Sequence, residues 1–500
     1  MAVALAGALS GIGALGGCDS EAVDAGGEAG VADAGADGGR DAVVDGGRDA
    51  GSDGGRDAAV DAMAADAAVD AAADAAVDPL TVPCAAVASR RAGLRVDGCR
   101  FVRAGEAAVV PVSVVVSADS FARVAATPFH EPAHYAELAA AGVEVVWLLV
   151  QWHAIEPGAG TYNGAYMGRI CQQARLAAAA GLDVVLSMEQ ARFGPGFGGR
   201  GMPEWVGAGA PIAAGAAPGD AALGAAWAGF WADPAHAAAL GAAWARLLDT
   251  CAVEAAHGID GIHVIGGAIG DAMDGTAYDA LIDRVMGDAA ARLGPVLRFE
   301  EALWTPDGLH WPGGEGPDRV RTLPGWGPGR DVDAALADAG WITAARDAAW
   351  RAGRPLWIRA LGGVDPAAMD AAVSAAEGAG VPVSVWQDGF GGAFGLRDAE
   401  GRPGALWAPA LVRPRPVSVA GRMIGWHTGP DAITLRWWAD GRAQGLSRFA
   451  LAGRPARSGR LSPDGPFDWF VDHDPATDQL AVFVEGAAGV VELTLPMEAR

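Results

Sequence analysis

Glutamates close two of the buried-strand patterns in this 500-residue sequence. Glu189 follows the apolar run LDVVLSM, and Glu300 and Glu301 end the run PVLRFEE. Because side chains alternate along a strand, one of Glu300 and Glu301 must point to the interior. Interior carboxylates could serve as a general acid or base and as a nucleophile. We favour the structural alternative, in which Glu189 pairs with an inward arginine such as Arg359 and Glu300 or Glu301 forms a salt bridge or helix cap.

Polar and aromatic residues end a third buried run, VEVVWLLV. They are Gln151, Trp152 and His153, and a loop with Glu156-Pro157 then leads into an alanine-rich helical pattern. This order of strand, polar end and helix is typical of one β→α unit of a barrel. The residues that face a ligand then lie at the C-terminal end of the strand.

Other chemical signals are weak or absent from the sequence. The motifs GxSxG and CxxC do not occur, and no cluster of cysteines and histidines is present. His130, His134 and His153 lack the spacing of metal ligands on one element, so we interpret them as structural. We therefore expect no metal and no cofactor.

Helical and strand patterns alternate from residue 132 to residue 387. The predicted helices span 132–141, 164–180, 234–257, 276–292, 343–352 and 366–379. The predicted strands span 143–151, 182–188, 260–266, 295–301, 355–361 and 381–387, with a weaker strand near Arg319–Leu323. Preceded by short strands within 94–117, this spacing predicts a (β/α)8 TIM barrel over residues 80–410. A doubly wound sheet is the main rival, but no Gly-rich phosphate loop follows a first strand.

The pattern changes after Arg413. ITLRWWA, RFALAG, FDWFVD, LAVFVEG and VVELTLP alternate with a period of two, separated by turn residues. Residues 411–500 are therefore predicted to form a small antiparallel β-sandwich.

Two lines of the sequence resemble glycoside hydrolase family 5, in its endoglycoceramidase-like branch. GVEVVWLLVQWHAIEP resembles the second barrel strand of that family, and LVRPRPVSVAG resembles the line that opens its C-terminal β-domain. The resemblance covers about residues 94–500. It implies a barrel that hydrolyses O-glycosyl bonds with two carboxylates, an acid/base after strand 4 and a nucleophile after strand 7.

The catalytic lines of that family are degenerate here. The acid/base position falls on Gly267 in GIHVIGGAIG, and the nucleophile position falls on Ala360 in PLWIRALGG. An arginine of the family is replaced by Trp147, and a histidine by Glu189. Since glycine and alanine cannot transfer protons or attack carbon, the pattern predicts a pseudoenzyme.

The resemblance implies that a sugar- or glycolipid-binding cleft is retained. We expect its lining to include Trp147, Trp152, Gln190, Trp205 and Trp386. Two alternatives stay open. One is an active hydrolase in which Glu189, Glu300 or Glu301 has taken over catalysis. The other is a scaffold that binds a protein through tryptophan-rich loops.

Five further tryptophans lie in or beside the predicted loops 191–231 and 304–330. Their rings could stack on sugars or bury lipid chains, or they could pack the loops onto the barrel. They are Trp227, Trp231, Trp304, Trp311 and Trp326.

The charge is concentrated near the N-terminus. The formal net charge is −25, and every one of the 36 basic residues is arginine. Residues 19–79 hold 3 arginines against 16 acidic residues, in repeats such as DGGRDA and DAAVD. This segment has little to bury, so we predict a disordered acidic tether. An acidic chain argues against nucleic acid as a partner.

Residues 1–18 are apolar and end in LGGC, which resembles a bacterial lipobox. That resemblance predicts an exported protein whose Cys18 carries the lipid anchor. An ordinary signal peptide is the alternative, since no arginine precedes Cys18. Cys84 and Cys99 could form one disulfide across a short loop, whereas Cys171 and Cys251 lie in helical patterns and are interpreted as buried thiols.

Overall fold

The computed structural model describes residues 93–103, 108–116, 130–190, 193–194, 201–207, 221–253, 257–266, 275–305, 308–311, 318–324, 339–362, 365–388, 395–440, 445–453, 460–462, 468–474, 478–485 and 488–497. The predicted leader, the predicted tether and Cys84 lie outside these residues.

Strands of the N-terminal two thirds form the barrel and two small sheets. They are β1 (Arg95–Asp97), β2 (Arg100–Val102), β3 (Ala108–Val109), β4 (Ser113–Val116), β5 (Val145–Val150), β6 (Asp183–Glu189), β7 (Gly261–Gly266), β8 (Leu297–Glu301), β9 (Leu303–Thr305), β10 (Gly308–His310), β11 (Arg319–Pro324), β12 (Leu356–Leu361) and β13 (Val383–Val385). Eight of them close a parallel barrel in the order β11-β12-β13-β4-β5-β6-β7-β8. The predicted TIM barrel is confirmed, including its weak strand, β11.

Helices surround the barrel strands. They are α1 (Pro132–Ala140), α2 (Trp152–Ile155), α3 (Gly164–Ala179), α4 (Ala221–Ala232), α5 (Pro234–Cys251), α6 (Gly275–Leu293), α7 (Ala339–Arg351), α8 (Pro366–Gly378) and α9 (Trp407–Leu411). Capping residues in the sequence determine where several of these helices begin. Asp233 and Asp365 accept hydrogen bonds from the first turns of α5 and α8, and a proline follows each of them at the first helical position.

Both faces of the barrel strands are buried, which explains their continuous apolar runs. Along β5, Val146, Leu148 and Val150 pack against the helices. Trp147 and Leu149 alternate with them and pack inside the barrel. The lower lumen is a dry core, because Trp147, Phe299 and Trp357 meet there with ring centroids 4.7–5.9 Å apart.

The C-terminal strands form the predicted sandwich. They are β14 (Arg415–Ser418), β15 (Arg422–Thr428), β16 (Ala432–Asp440), β17 (Gly445–Ala450), β18 (Arg460–Ser462), β19 (Asp468–Asp474), β20 (Gln479–Glu485) and β21 (Ala488–Pro496). Two four-stranded antiparallel sheets, β14-β17-β20-β19 and β15-β16-β21-β18, share one apolar core. The sequence patterns predicted five of these strands and missed β14, β15 and β18.

The interpretation of Cys171 and Cys251 as free thiols was wrong. The two residues form a disulfide between α3 and α5, with Cα atoms 5.0 Å apart. Each position is buried on its own helix, so the sequence pattern carried no sign that the helices are neighbours. Cys99 is also disulfide-bonded; its pairing with Cys84 stays a prediction.

The prediction of one long loop over 191–231 was also wrong in part. Residues 221–232, AALGAAWAGFWA, form α4. Trp227 and Trp231 are four residues apart on that helix and are both buried. The glycines and tryptophans suggested a loop, but alanine's high helix propensity and the packing of these rings favour a helix. Among the described residues, no helix is long and apolar enough to cross a membrane.

Candidate functional site

Arg359 lies at the C-terminal end of the barrel lumen and binds two carboxylates. Its Nη1 donates to Glu189 Oε2 at 2.6 Å, and its Nε donates to Glu301 Oε2 at 2.5 Å. All three side chains are at most 2 % exposed. Glu189 ends β6, Glu301 ends β8 and Arg359 belongs to β12. The expected ion pair between Glu189 and Arg359 is thus present, and Glu301 is the inward member of its pair.

The charges in this cluster stabilise one another. Burial by itself would lower the pKa of Arg359, but Glu189 and Glu301 raise it above its ordinary value. The guanidinium therefore stays protonated and supplies the counter-charge to both glutamates. Removing one of these three side chains should destabilise the fold, because it leaves an uncompensated buried charge.

His263 lies beside the cluster on β7. Its Nδ1 is 2.8 Å from Ser187 Oγ, and its Nε2 is 3.6 Å from Glu301 Oε2. Burial and the nearby Arg359 lower the pKa of His263 well below its usual range, so the imidazole is neutral. Two carboxylates, one guanidinium and a neutral imidazole give the cluster one net negative charge.

The backbone at Gly266 and at Ala360, the expected nucleophile position, is shaped around Arg359. A Cβ atom at Gly266 would lie 2.8 Å from Glu189 Oε2 and 3.2 Å from Arg359 Cζ, so only glycine fits there. Ala360 has φ of +61°, unusual for alanine, at a register shift between β12 and β13. This irregularity lies directly beside the residue that reaches into the lumen. Gly267, the expected acid/base position, lies outside the described residues.

Glu300 points to the other side of β8. It forms salt bridges with Arg298 and Arg319, the latter at 2.6 Å. Burial raises the pKa of Glu300, although the two arginines oppose that shift. The salt bridge that we favoured for this residue is confirmed, and Glu300 takes no part in the lumen.

The residues expected to bind a ligand are divided between the interior and the partly exposed surface. Trp147 and Trp152 have no exposed surface, and Trp152 Nε1 donates to Glu156 Oε2 at 2.8 Å. Both rings pack the interior, which corrects the expectation that their faces meet a ligand. Trp205 and Trp386 stay partly exposed at the C-terminal end of the barrel. Gln190 is fully buried at the end of β6.

Several buried polar atoms in the upper part of the barrel have no hydrogen-bond partner among the described residues. They are Nη2 of Arg359, Nε2 of Gln151, both amide atoms of Gln190 and Oγ1 of Thr322. Gln151 continues the lumen-facing side of β5, and Thr322 pairs in register with Glu301. The upper lumen is therefore polar and lies directly above the aromatic core.

The other tryptophans give little support to a loop surface for protein binding. Trp227 and Trp231 pack with Phe193, Phe230 and Tyr278 inside the protein. Trp311 is half-buried, and the Arg321 guanidinium lies 4.8 Å from its ring centroid. The side chain of Trp304 and all of Trp326 lie outside the described part of the chain.

The sequence did not reveal an ionic network at the ends of β4 and β13. Asp388 accepts from Arg397 Nε at 2.6 Å and lies 2.5 Å from His134 Nε2. The His134 ring stacks on His130 with centroids 3.8 Å apart. Burial and the charges of His134 and Arg397 lower the pKa of His130 to about 3. These partners are far apart in the chain, so no local spacing signalled them. In the described part of the chain, no three metal-binding side chains converge.

Known structures resemble this fold closely, although their sequences have diverged. Endo-glycoceramidase II from Rhodococcus sp. matches with a TM-score of 0.59 and 19 % identity, over 79 % of this chain and 99 % of that chain. An endogalactoceramidase matches with a TM-score of 0.55 and 17 % identity, over 82 % and 100 %. Sterylglucosidase 1 from Cryptococcus neoformans matches with a TM-score of 0.61 and 11 % identity, over 84 % and 98 %.

No protein-family model and no curated protein sequence matches the chain. The similarity to these proteins is therefore one of fold. The resemblance inferred from two short sequence lines is confirmed at the level of the fold. This chain has an endoglycoceramidase-like fold, with an arginine-bridged pair of glutamates in the barrel lumen.

Proposed function

We propose that this protein binds a carbohydrate or glycolipid headgroup at the C-terminal end of its barrel and does not hydrolyse it. The observation that carries the proposal is the pairing of Arg359 with both Glu189 and Glu301. These are the only two glutamates of the described lumen that could replace the carboxylates missing from the family positions.

A retaining glycosidase needs one carboxylic acid that holds a proton and one carboxylate that is free to attack. The Arg359 guanidinium binds one oxygen of each glutamate, through a hydrogen bond of 2.6 Å or less. Neither carboxyl group is therefore free to turn toward a glycosidic bond. Ala360 supplies only a methyl group at the nucleophile position.

Binding is supported by the buried polar atoms for which the described residues offer no hydrogen-bond partner. Buried donors and acceptors are costly unless they are hydrogen-bonded. Sugar hydroxyls both donate and accept, so they fit the mixed set on Gln151, Gln190, Thr322 and Arg359. Trp205 and Trp386 offer partly exposed rings at the same end of the barrel, and aromatic faces stack on sugar rings. One similar structure contains ganglioside GM3.

The proposal includes export and attachment through a lipid on Cys18. The sequence LGGC and the acidic segment that follows it support this part. The disulfide between Cys171 and Cys251 favours it too, because such bonds persist mainly in oxidising compartments. Intact-mass measurement of the mature chain tests the lipid, and Cys18→Ser is the control.

Hydrolysis and binding are separated by one set of measurements. The protein is incubated with aryl glycosides, lactosylceramide, galactosylceramide and a sterylglucoside. Product release measures hydrolysis, and calorimetry measures binding of the same compounds. We expect binding without turnover. Glu301→Gln should weaken binding at least tenfold, whereas Glu300→Gln should leave it unchanged. The second variant is a matched control, since both residues are 2 % exposed and both pair with arginine.

The competing function is hydrolysis by Glu189 and Glu301. Their shared contact with one guanidinium brings the two carboxylates near each other, which is the feature that favours this alternative. Turnover that is abolished by Glu189→Gln and kept in Glu300→Gln would establish it and overturn the pseudoenzyme interpretation. Absence of both binding and turnover for the whole panel would remove the proposed function.

A further inference from the structure

An apolar cleft lies where the barrel meets the C-terminal sandwich. Its walls come from the segment before β4, from α8, β13 and α9, and from the first two strands of the sandwich. The cleft encloses about 420 Å³, counted out to its open mouth, within the range of about 300–1,000 Å³ that is typical of small-molecule sites. It adjoins the starts of β4 and β13, whereas Glu189 and Glu301 lie at the ends of their strands. It is therefore separate from the cluster in the lumen.

The lining of the cleft is mostly hydrocarbon. Eleven of its fifteen residues are valine, proline, alanine or leucine, and the others are Trp426 and three charged residues. Burying an alkyl group against such walls is favourable, whereas a sugar would leave most of its hydroxyl groups without partners. The cleft is thus suited to an alkyl chain rather than to a carbohydrate.

The two sides of the cleft are held together by direct contacts. Nη1 of Arg346 donates to Ala379 O at 2.8 Å and to Ile424 O at 2.7 Å, which joins the segment before β13 to β15. A Cβ atom at Gly425 would lie only 2.1 Å from Gly378 O, so the backbones of β15 and α8 touch. The cleft is therefore preformed, and a ligand would not have to open it.

Two of the three charged side chains neutralise each other. Arg413 donates from Nε to Glu377 Oε1 at 2.9 Å and from Nη2 to Glu377 Oε2 at 2.7 Å. Its Nη2 also donates to Ser374 Oγ at 2.8 Å, and Asp370 pairs with it from the exposed side. A bidentate pair of this kind satisfies both partners, so it does not require a ligand.

Arg415 is the charged residue that lacks such a partner. Among the described residues its hydrogen bonds go to backbone carbonyls, from Nη2 to Gly142 O at 2.5 Å and from Nη1 to Leu411 O at 3.4 Å. Its Nε is buried without an acceptor there. Burial lowers the pKa of Arg415, and the attraction of Glu144 and Glu377 does not offset that shift. The cleft therefore holds a guanidinium that is short of counter-charge.

We propose that this cleft binds a fatty acid, with the alkyl chain against the apolar walls and the carboxylate at Arg415. A carboxylate matches a guanidinium in both charge and shape, because it accepts two parallel N–H bonds. A neutral head group would supply an acceptor without the missing charge. This binding site is distinct from the carbohydrate site proposed above, and each stands without the other.

Calorimetric titration of the full chain with hexanoate, octanoate and decanoate tests the ligand class. We expect the affinity to rise by up to about fourfold for each added methylene, as more hydrocarbon is buried. Decanol is the neutral control and should bind about tenfold more weakly than decanoate, since it cannot pair with a guanidinium. Equal affinities for decanoate and decanol would overturn the proposed role of the carboxylate. Absence of decanoate binding would remove the site.

Variants place the ligand in the cleft. Arg415→Met keeps an unbranched side chain and removes the charge, so it should weaken decanoate binding about tenfold and leave decanol binding unchanged. Val383→Phe fills the cleft from β13 and should abolish binding of both ligands, which keeps the test valid if Arg415→Met does not fold. Val412→Phe is the matched control, because Val412 is 36 % exposed and does not line the cleft. Decanoate binding that survives Val383→Phe, in protein whose circular dichroism is native, would overturn the proposal.

Discussion

Arg359 and Glu189 are joined by a hydrogen bond of 2.6 Å although their strands lie on opposite sides of the barrel. Three strands, β13, β4 and β5, separate β12 from β6 in the closed ring. The side chains therefore meet across the lumen, and Glu301 contacts the same guanidinium from β8. The family arginine expected at Trp147 is absent, and the lumen arginine comes from a different strand. In the proposed function, this bridge keeps the two interior glutamates from acting as a catalytic pair.

Removal of the bridge should destabilise the protein in a pH-dependent way. Arg359→Met keeps much of the side-chain volume and leaves two buried carboxylates without a counter-ion. We expect the free energy of unfolding to fall by about 3–5 kcal/mol at pH 8. The loss should be smaller at pH 5, because the folded variant then takes up a proton on a carboxylate. Denaturant titration at both pH values measures this, and Glu189→Gln added to Arg359→Met should recover part of the stability. An equal loss at both pH values would contradict the assignment.

The backbone at Ala360 predicts a gain in stability on substitution by glycine. Its φ of +61° costs an L-residue about 1 kcal/mol and costs glycine nothing comparable. Ala360→Gly should raise the free energy of unfolding by up to that amount, since the greater freedom of unfolded glycine offsets part of the gain. Ala289→Gly, within α6, is the opposite control and should lower stability by about 1 kcal/mol. Matching losses in the two variants would contradict the strain at Ala360.

His130 predicts a loss of stability in acid. In the folded protein the pKa of His130 is lowered to about 3, by burial and by the charges on His134 and Arg397, while Asp388 opposes the shift. Unfolded chains take up this proton below about pH 6.5, so stability is complete above that pH and falls as the pH drops toward 3. The slope from this one group approaches about 1.4 kcal/mol per pH unit.

His130→Asn should flatten the stability profile between pH 6 and pH 4. The exposed His427→Asn is a matched control and should leave the slope unchanged. Urea titrations across this range give the slopes directly. If His130→Asn shifts the whole curve without changing its slope, the residue acts only through packing.

The disulfide between Cys171 and Cys251 should stabilise the fold. The bond joins residues that are 80 positions apart in the sequence. In the chain-entropy model, closing a loop of that size raises the free energy of the unfolded state by about 4–5 kcal/mol. We expect Cys171→Ser with Cys251→Ser to lose about 2–5 kcal/mol under oxidising conditions. A reducing agent should then have a much smaller effect on this double variant than on the native chain. Equal stability of the two chains before reduction would show that the bond contributes nothing.

The sequence alone determined the architecture. Runs such as VEVVWLLV and PLWIRAL predict strands buried on both faces, and the change to period two after Arg413 predicts the sandwich, because local side-chain periodicity follows directly from backbone geometry. The absence of carboxylates at Gly267 and Ala360 is likewise a property of the sequence. The pairing of Glu189 with Arg359 was also predicted, since both residues lie near the C-terminal ends of predicted barrel strands.

Only the tertiary structure decided which side chains meet. That Glu301 shares the guanidinium of Arg359, that Cys171 bonds to Cys251 and that His134 contacts Asp388 all depend on contacts between residues 58 to 254 positions apart. No local sequence pattern encodes these contacts, because they are set by the closure of the barrel and by the packing of helices around it. The same closure places the junction with the sandwich at one end of the barrel and the polar cluster at the other. The sequence thus predicts the barrel, and the closure of the barrel brings Glu189, Glu301 and Arg359 together.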